Sequence, residues 1–283
     1  MKRSMPRGFA PPAPRSRAPG SCSLVAGALA LTLAAACGGG GAGAGPTTPP
    51  PGPAKPAELT TAEAVLEASI AAQGGRERIG TLKGLRQTGA LVIPQMGMKG
   101  AMKLISAPPR SAVTTIELPG LGKIVQGITG EVAWEVNPIT GSRVITGGER
   151  AQLLRESTFN ADLMWKQLYP KAELAGVVEF AGAPAYKVVL TSPEGDVQTR
   201  YFAKDTLLPS GVQMTIDSQM GKVPVEMTIS DWRDVNGIKY AHKLQRKEGP
   251  QTVEIVLEKI EHDPPLDPAT FALPPEIEAL QKK

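Results

Sequence analysis

From Leu85 to Ile260 the chain is a succession of short apolar or alternating runs, most of them closed off by Gly, Pro, Asn or Asp. That spacing leaves few folds open, because strands this short and this close in sequence pair antiparallel with their neighbours through tight turns. Strands are expected over Leu85–Ile93, Lys99–Ile105, Ala112–Leu118, Lys123–Ile128, Val132–Val136 and Arg143–Thr146. After a helical interruption at roughly Gly148–Leu168, they resume over Leu174–Phe180, Ala185–Thr191, Val197–Ala203, Gly211–Asp217, Val225–Asp231, Ile238–Arg246 and Thr252–Ile260. The alternation is clearest late in the chain. Val212, Met214, Ile216 and Val225, Met227, Ile229 share one face, opposite Gln213, Thr215, Glu226 and Thr228, so one face of the sheet is dry and the other wet. The pair Asn236-Gly237 is the strongest hairpin signal in the sequence.

About a dozen strands make a sheet too large to stay flat and open. Eight strands closed into a barrel fill with side chains or hold one small ligand, so a larger curved sheet leaves a hollow. The fold class expected is therefore mainly β with helices (α+β): a large curved antiparallel sheet, or unclosed β-barrel, with helices over its concave apolar face. Two helical segments are available as covers. In the first, Thr60 and Glu63 have capping-box spacing, Ala62, Val65, Leu66, Ser69 and Ile70 form a stripe, and Gly74-Gly75 ends it. A shorter helical piece carries Ile79 and Leu82. The second cover is the interruption itself, with Leu153, Leu154, Leu163, Met164, Trp165 and Leu168. Residues expected to line a ligand hollow are Leu66, Ile70, Trp134, Leu154, Met164, Met214, Met227 and Ile229. A solid core there is the alternative, and Trp134, Trp165 and Trp232 read more readily as core.

The first 57 residues are of another kind. Lys2, Arg3, Arg7, Arg15 and Arg17 precede a charge-free run from Leu24 to Ala36, the pattern of an export signal. Thirteen helical residues reach roughly 20 Å against a hydrocarbon core of about 30 Å, which argues against a membrane span. Ala34, Ala35 and Ala36 directly before Cys37 resemble a bacterial lipobox, in which the cysteine becomes acylated and the chain is cut before it. The alternative is an ordinary secretory signal that leaves Cys37 a free thiol. Cys22 is the only other cysteine, so no disulfide framework exists. From Gly38 to Pro56 the chain holds Gly, Ala, Pro, Thr and a single Lys, too little apolar surface to offset ordering entropy. The domain expectation is a signal over 1–36, a lipidated cysteine and flexible tether over 37–57, and one folded domain over 58–283. Without the five cationic residues of the signal, 26 Lys+Arg stand against 27 Asp+Glu, which removes the electrostatic case for nucleic-acid binding.

The order of these parts resembles the LolA/LolB superfamily of lipoprotein-localisation factors. The segments that carry the likeness are "GGRERIGTLKGL" from Gly74, "AWEVNPITG" from Ala133, "TRYFAKDTLLPSGVQ" from Thr199, "ISDWRDVNGIKYAHKLQ" from Ile229 and "DPATFALPP" from Asp267. It covers roughly Thr60 to Pro275. The resemblance implies an unclosed barrel with helices over an apolar hollow that takes lipoprotein acyl chains. It also implies a place in the bacterial envelope: lipid-anchored, facing the periplasm, at the outer membrane, where Gly38 lacks the aspartate that retains many lipoproteins at the inner membrane. An arginine before a Pro-Asn pair controls the lid of the family's soluble carrier. Here Ala107 precedes Pro108 and Arg110 is displaced, so no switch residue transfers. In "IPQMGMKG", Met96 and Met98 flank Gly97 where a hairpin is ordinarily polar, making this a candidate membrane-contact loop, with a buried corner as the alternative.

Catalytic patterns are thin. His242 and His262 are the only histidines, without a partner at metal-ligand spacing, and read as surface or half-buried side chains. "GLGKI" from Gly120 has Glu117 where a phosphate loop needs its first glycine and Ile124 where it needs Ser or Thr. Asp231 and Asp234 read as acids flanking a turn. No nucleophile elbow occurs. The expected function is binding rather than catalysis, with no cofactor and no metal. The partners expected are a membrane through the anchor, a lipid or lipoprotein acyl chain, and another envelope protein. An interaction or stress-sensing module with a filled core is the alternative.

Overall fold

The structure, a computed structural model, describes residues 58–218 and 221–282. Cys37, the signal and the tether therefore lie outside the described residues. Thirteen strands form one antiparallel sheet: β1 (Leu85–Ile93), β2 (Met98–Ala107), β3 (Ser111–Leu118), β4 (Gly122–Thr129), β5 (Val132–Val136), β6 (Arg143–Ile145), β7 (Lys171–Phe180), β8 (Ala183–Thr191), β9 (Val197–Ala203), β10 (Pro209–Ser218), β11 (Gly221–Val235), β12 (Ile238–Glu248) and β13 (Gln251–His262). Their spatial order is β6-β5-β4-β3-β2-β1-β13-β12-β11-β10-β9-β8-β7, so the two halves of the chain meet where β1 pairs with β13. The sheet is not closed: β6 and β7 are its two edges.

Helices sit on both faces. On the inner face, α1 (Ala62–Gln73) and α4 (Trp165–Leu168) bury Val65, Leu66, Ile70 and Trp165 against Tyr186, Val188, Leu190 and Phe202 of β8 and β9. The N-cap of α1 is Thr61, whose hydroxyl accepts from the Ala64 amide at 3.1 Å, one residue later than the Thr60 expected from capping-box spacing. Helix α3 (Gly147–Glu156) packs Leu153 and Leu154 on Ile128, Ala133 and Ile145, and also touches β10, bridging the two walls of the curved sheet. On the outer face, the single turn at Pro268–Phe271 and α5 (Pro275–Gln281) cover Val113 and Trp134. A fifth short helix, α2 (Arg76–Gly80), brings Ile79 into the cluster under α1.

The interruption between β6 and β7 is not one helix. After α3 the chain passes through Asn160 at φ 53°, makes a 3-10 turn over Ala161–Met164 and only then forms α4. Thr158, whose hydroxyl donates to the Leu154 carbonyl at 3.2 Å, and Asn160 favour side-chain bonding over helix continuation. Asn160 tolerates the left-handed conformation and donates its amide to the Ile79 carbonyl at 2.9 Å. Strand β11 runs past the expected end at Asp231: Asp231 takes φ 55° within the strand, and the register with β12 is the same on either side of it, Ser230 opposite Lys243 and Trp232 opposite Ala241. Asp231 thus lies inside the strand, bonded to Arg233, whereas Asp234 does cap the turn by accepting from the Gly237 amide. Asn236 and Gly237 both take positive φ, as the hairpin requires.

Candidate functional site

The late alternation puts Val212 opposite Met227 and Met214 opposite Val225 across β10 and β11, with all four side chains directed inward. Val212, Met214, Met227 and Ile229 form the apolar floor of a cavity of about 60 Å³. Its roof is the segment from the end of α3 through α4, which supplies Arg155, Glu156, Ala161, Asp162, Leu168 and Tyr169. Its side wall is Gln198 and Arg200 of β9. At roughly 10–15 Å³ per water, this partly open space holds about four to six waters, far below the hundreds of Å³ usual for a ligand pocket.

The charged groups lining the cavity form a network rather than a loose cluster. Arg155 is 8% exposed and reaches Glu194 at 2.7 Å and Asp196 at 2.8 Å, both in the β8–β9 turn. Arg200 pairs with Asp162 at 2.6 Å and donates its Nε to Gln198 Oε1 at 2.7 Å. Both guanidiniums lie over the buried Tyr169 ring, at 5.8 and 5.4 Å from its centroid. Burial pushes the Glu156 carboxyl above its ordinary value, opposed by the fields of Arg155, Arg246 and Arg200. Two buried amides also converge here. Gln152 donates to the Thr215 carbonyl at 3.3 Å and accepts from the Asp217 amide at 3.2 Å, riveting α3 to β10. Gln198 donates to the Met214 thioether at 3.4 Å, a weak acceptor for a buried N–H.

The segment roofing the cavity is held by the buried side chains of Leu153, Leu154, Phe159, Trp165 and Tyr169 and by polar latches: Arg155 to the β8–β9 turn, Asp162 to Arg200, the Leu163 carbonyl to Arg76, Trp165 Nε1 to Glu67, and Lys166 to Glu63. Further along the inner face, Arg143 bridges Glu149 at 2.6 Å and the buried Glu135 at 3.4 Å, so the hollow carries a second charged group near β6.

Of the residues expected to line the hollow, the structure brings Met214, Met227 and Ile229 together at the cavity. Leu66 and Ile70 face inward but are packed in the core under α1, and Leu154 lies in the cluster under α3. Met164 is 37% exposed on the 3-10 turn. Trp134 is on the opposite side of the sheet: its strand neighbour Ala133 faces inward, so period two sends the indole outward beneath α5. It is core there, as is Trp165 under α1, while Trp232 is partly buried and donates to the Pro209 carbonyl. Met96 is 52% exposed at the β1–β2 tip, whereas Met98 packs inward against Leu91, Ile93 and Met102. Leu121 and Ile139, on the β3–β4 and β5–β6 connections, are exposed at the same end of the sheet as Met96. His242 is fully buried, bonded through Nδ1 to the Tyr240 carbonyl, against the expectation of a surface or half-buried ring; His262 is half-buried and meets the Tyr240 hydroxyl at 2.7 Å. Among the described residues no group of three or more His, Cys, Asp or Glu is placed to hold a metal ion.

Sequence reasoning missed the polar half of the site. The one available signal was Phe202, an apolar residue two positions beyond Arg200 and four beyond Gln198, which puts all three on one strand face.

No family model matches the sequence, and no curated protein matches it. Solved structures do share the fold. A DUF1329 family protein from Desulfovibrio piger aligns with a TM-score of 0.55 at 15% identity, over 75% of this chain and 97% of that one. An outer membrane lipoprotein-sorting protein domain from Vibrio parahaemolyticus aligns with a TM-score of 0.54 at 12% identity, over 78% and 100%. A LolA superfamily protein from Nitrosomonas europaea aligns with a TM-score of 0.52 at 10% identity, over 76% and 99%. The unclosed, helix-covered sheet of this chain is therefore the LolA-like fold.

Proposed function

We propose that this protein is a lipid-anchored lipoprotein of the bacterial envelope, facing the periplasm from the outer membrane, that binds an acyl chain of a lipid or lipoprotein between its sheet and its α3–α4 roof. It is a binding protein rather than an enzyme, with a role in lipid or lipoprotein transport. The observation that carries this reading is the floor of Val212, Met214, Met227 and Ile229, adaptable apolar side chains beneath a roof tied down by polar latches. The closed form holds only about 60 Å³, so the chain enters when the roof lifts. Likeness in fold to a lipoprotein-sorting domain supports the same reading. Anchoring rests on the lipobox-like residues before Cys37, and the exposed Met96 tip, flanked at the same end by Leu121 and Ile139, is the membrane-contact loop.

The small volume favours a second reading, the filled-core interaction module, whose partner is another envelope protein. Met227→Lys separates the two. In a solid core an unpaired ammonium costs several kcal/mol and threatens folding. In a hollow that opens, it is hydrated or pairs with Glu156, so the variant stays folded by circular dichroism while displacement of a fluorescent fatty acid is lost. A wild type that never binds the probe, together with a variant that unfolds, would establish the filled-core module instead.

A further inference from the structure

We propose that the ligand is a long-chain carboxylate, and that Asp162 occupies in the closed form the place its head takes in the bound form, on Arg200. This rests on the acyl-binding reading above and adds the head group, its partner and the contact it breaks.

The cavity joins two kinds of surface. Val212, Met214, Met227 and Ile229 supply a surface for a methylene chain, and Arg200, the cross-strand neighbour of Val212 with its side chain 16% exposed, supplies a cation at its edge. Arg200 comes from the rigid sheet, whereas the carboxylate that now neutralises it comes from the 3-10 turn of the roof. A ligand carboxylate entering between them exchanges one carboxylate for another, so no charge is left buried without a partner. Asp162 then swings to water with its turn, and binding the head releases the roof that admits the tail. A neutral head leaves the Arg200–Asp162 pair intact and the roof latched. A cationic head meets Arg155 and Arg200 together.

Two further observations point to an acceptor-bearing ligand. The Gln198 amide N–H, 9% exposed, is spent on the Met214 sulfur while its Oε1 orients Arg200 Nε, so a ligand oxygen that displaces the thioether gains a donor beside the guanidinium without breaking that bond. Glu156 is the other acid in the wall, and burial favours its neutral form, which weakens its repulsion of an incoming carboxylate.

The test is competition for a fluorescent fatty acid on the purified protein, with palmitate, hexadecanol and inorganic phosphate as competitors. Palmitate is expected to displace the probe about tenfold more strongly than hexadecanol, and phosphate not at all. Arg200→Gln removes that preference. Asp162→Asn, which unlatches the turn and deprives Arg200 of its internal partner, tightens palmitate more than hexadecanol, a gain that misfolding does not imitate. Equal competition by palmitate and hexadecanol, or weaker palmitate binding in a folded Asp162→Asn, overturns the head assignment while leaving acyl binding intact. Failure of the wild type to bind the probe at all overturns both.

Discussion

Replacing Arg155 with Met tests whether the roof opens as a unit. The guanidinium makes two charge-assisted bonds, at 2.7 and 2.8 Å, that join the last turn of α3 to the β8–β9 turn. Buried bonds of this kind contribute about 1.5–3 kcal/mol each. Glu194 and Asp196 are 49% and 34% exposed, so both rehydrate when abandoned and the loss falls to about 2 kcal/mol for the pair. Methionine keeps most of the stem's packing and removes a buried Nε that has no hydrogen-bond partner in the structure. If the whole 2 kcal/mol is felt by the roof alone, its open population rises about thirtyfold. Hydrogen exchange reads this directly: amides over 147–168 exchange faster while those of β1 and β13 keep their protection, and the association rate of a fluorescent fatty acid rises in parallel. Uniform acceleration across the whole sheet, or no acceleration in 147–168, would refute the latch.

Glu156→Gln is expected to stabilise the fold at neutral and alkaline pH. A carboxyl whose folded value is raised carries a penalty that grows as pH climbs from the unfolded value, near 4.5, through the folded one, so the variant's Tm exceeds wild type by a few degrees at pH 8 and equals it at pH 4; a gain of the same size at pH 4 contradicts it. Gly127→Ala places a Cβ 2.7 Å from Trp134 Cε2, and with the indole clamped beneath α5 it costs about 1–3 kcal/mol by urea unfolding without altering fatty-acid binding. Loss of binding at unchanged stability would put Trp134 back in the cavity wall. Cys37→Ser is expected to move the protein from the detergent phase to the aqueous phase and Cys22→Ser to leave it where it was; equal partitioning of wild type and Cys37→Ser removes the anchor.

The strands and the hairpins between neighbours were legible in the sequence because period two and turn residues are local signals, whereas the β1–β13 pairing joins segments far apart in the chain and was not. Val212, Met214, Met227 and Ile229 alternate cleanly with polar neighbours, and the structure puts them on one face at the cavity. The polar half was not legible, because in "VQTRYFA" both parities contain a large aromatic: Tyr201 on one, Phe202 on the other. Which parity turns inward is decided by packing of Phe202 against α1, a contact between segments far apart in the chain. Trp134 shows the same limit. Its outward direction follows from alternation once Ala133 is inward, but its burial depends on the C-terminal turn and α5, which cover an outer face that alternation alone would leave wet. The break at Asn160 was hidden by the apolar residues on either side of it, which read as one helix by composition.

Native mass spectrometry of the protein purified from a bacterial membrane fraction and released from detergent in the gas phase tests the central claim most directly. The account predicts a population heavier by one acyl-chain carboxylate or lipid beyond any covalent anchor, and its loss in Met227→Lys. A single species at the mass of the protein and its anchor alone, with no probe bound on titration, would contradict it.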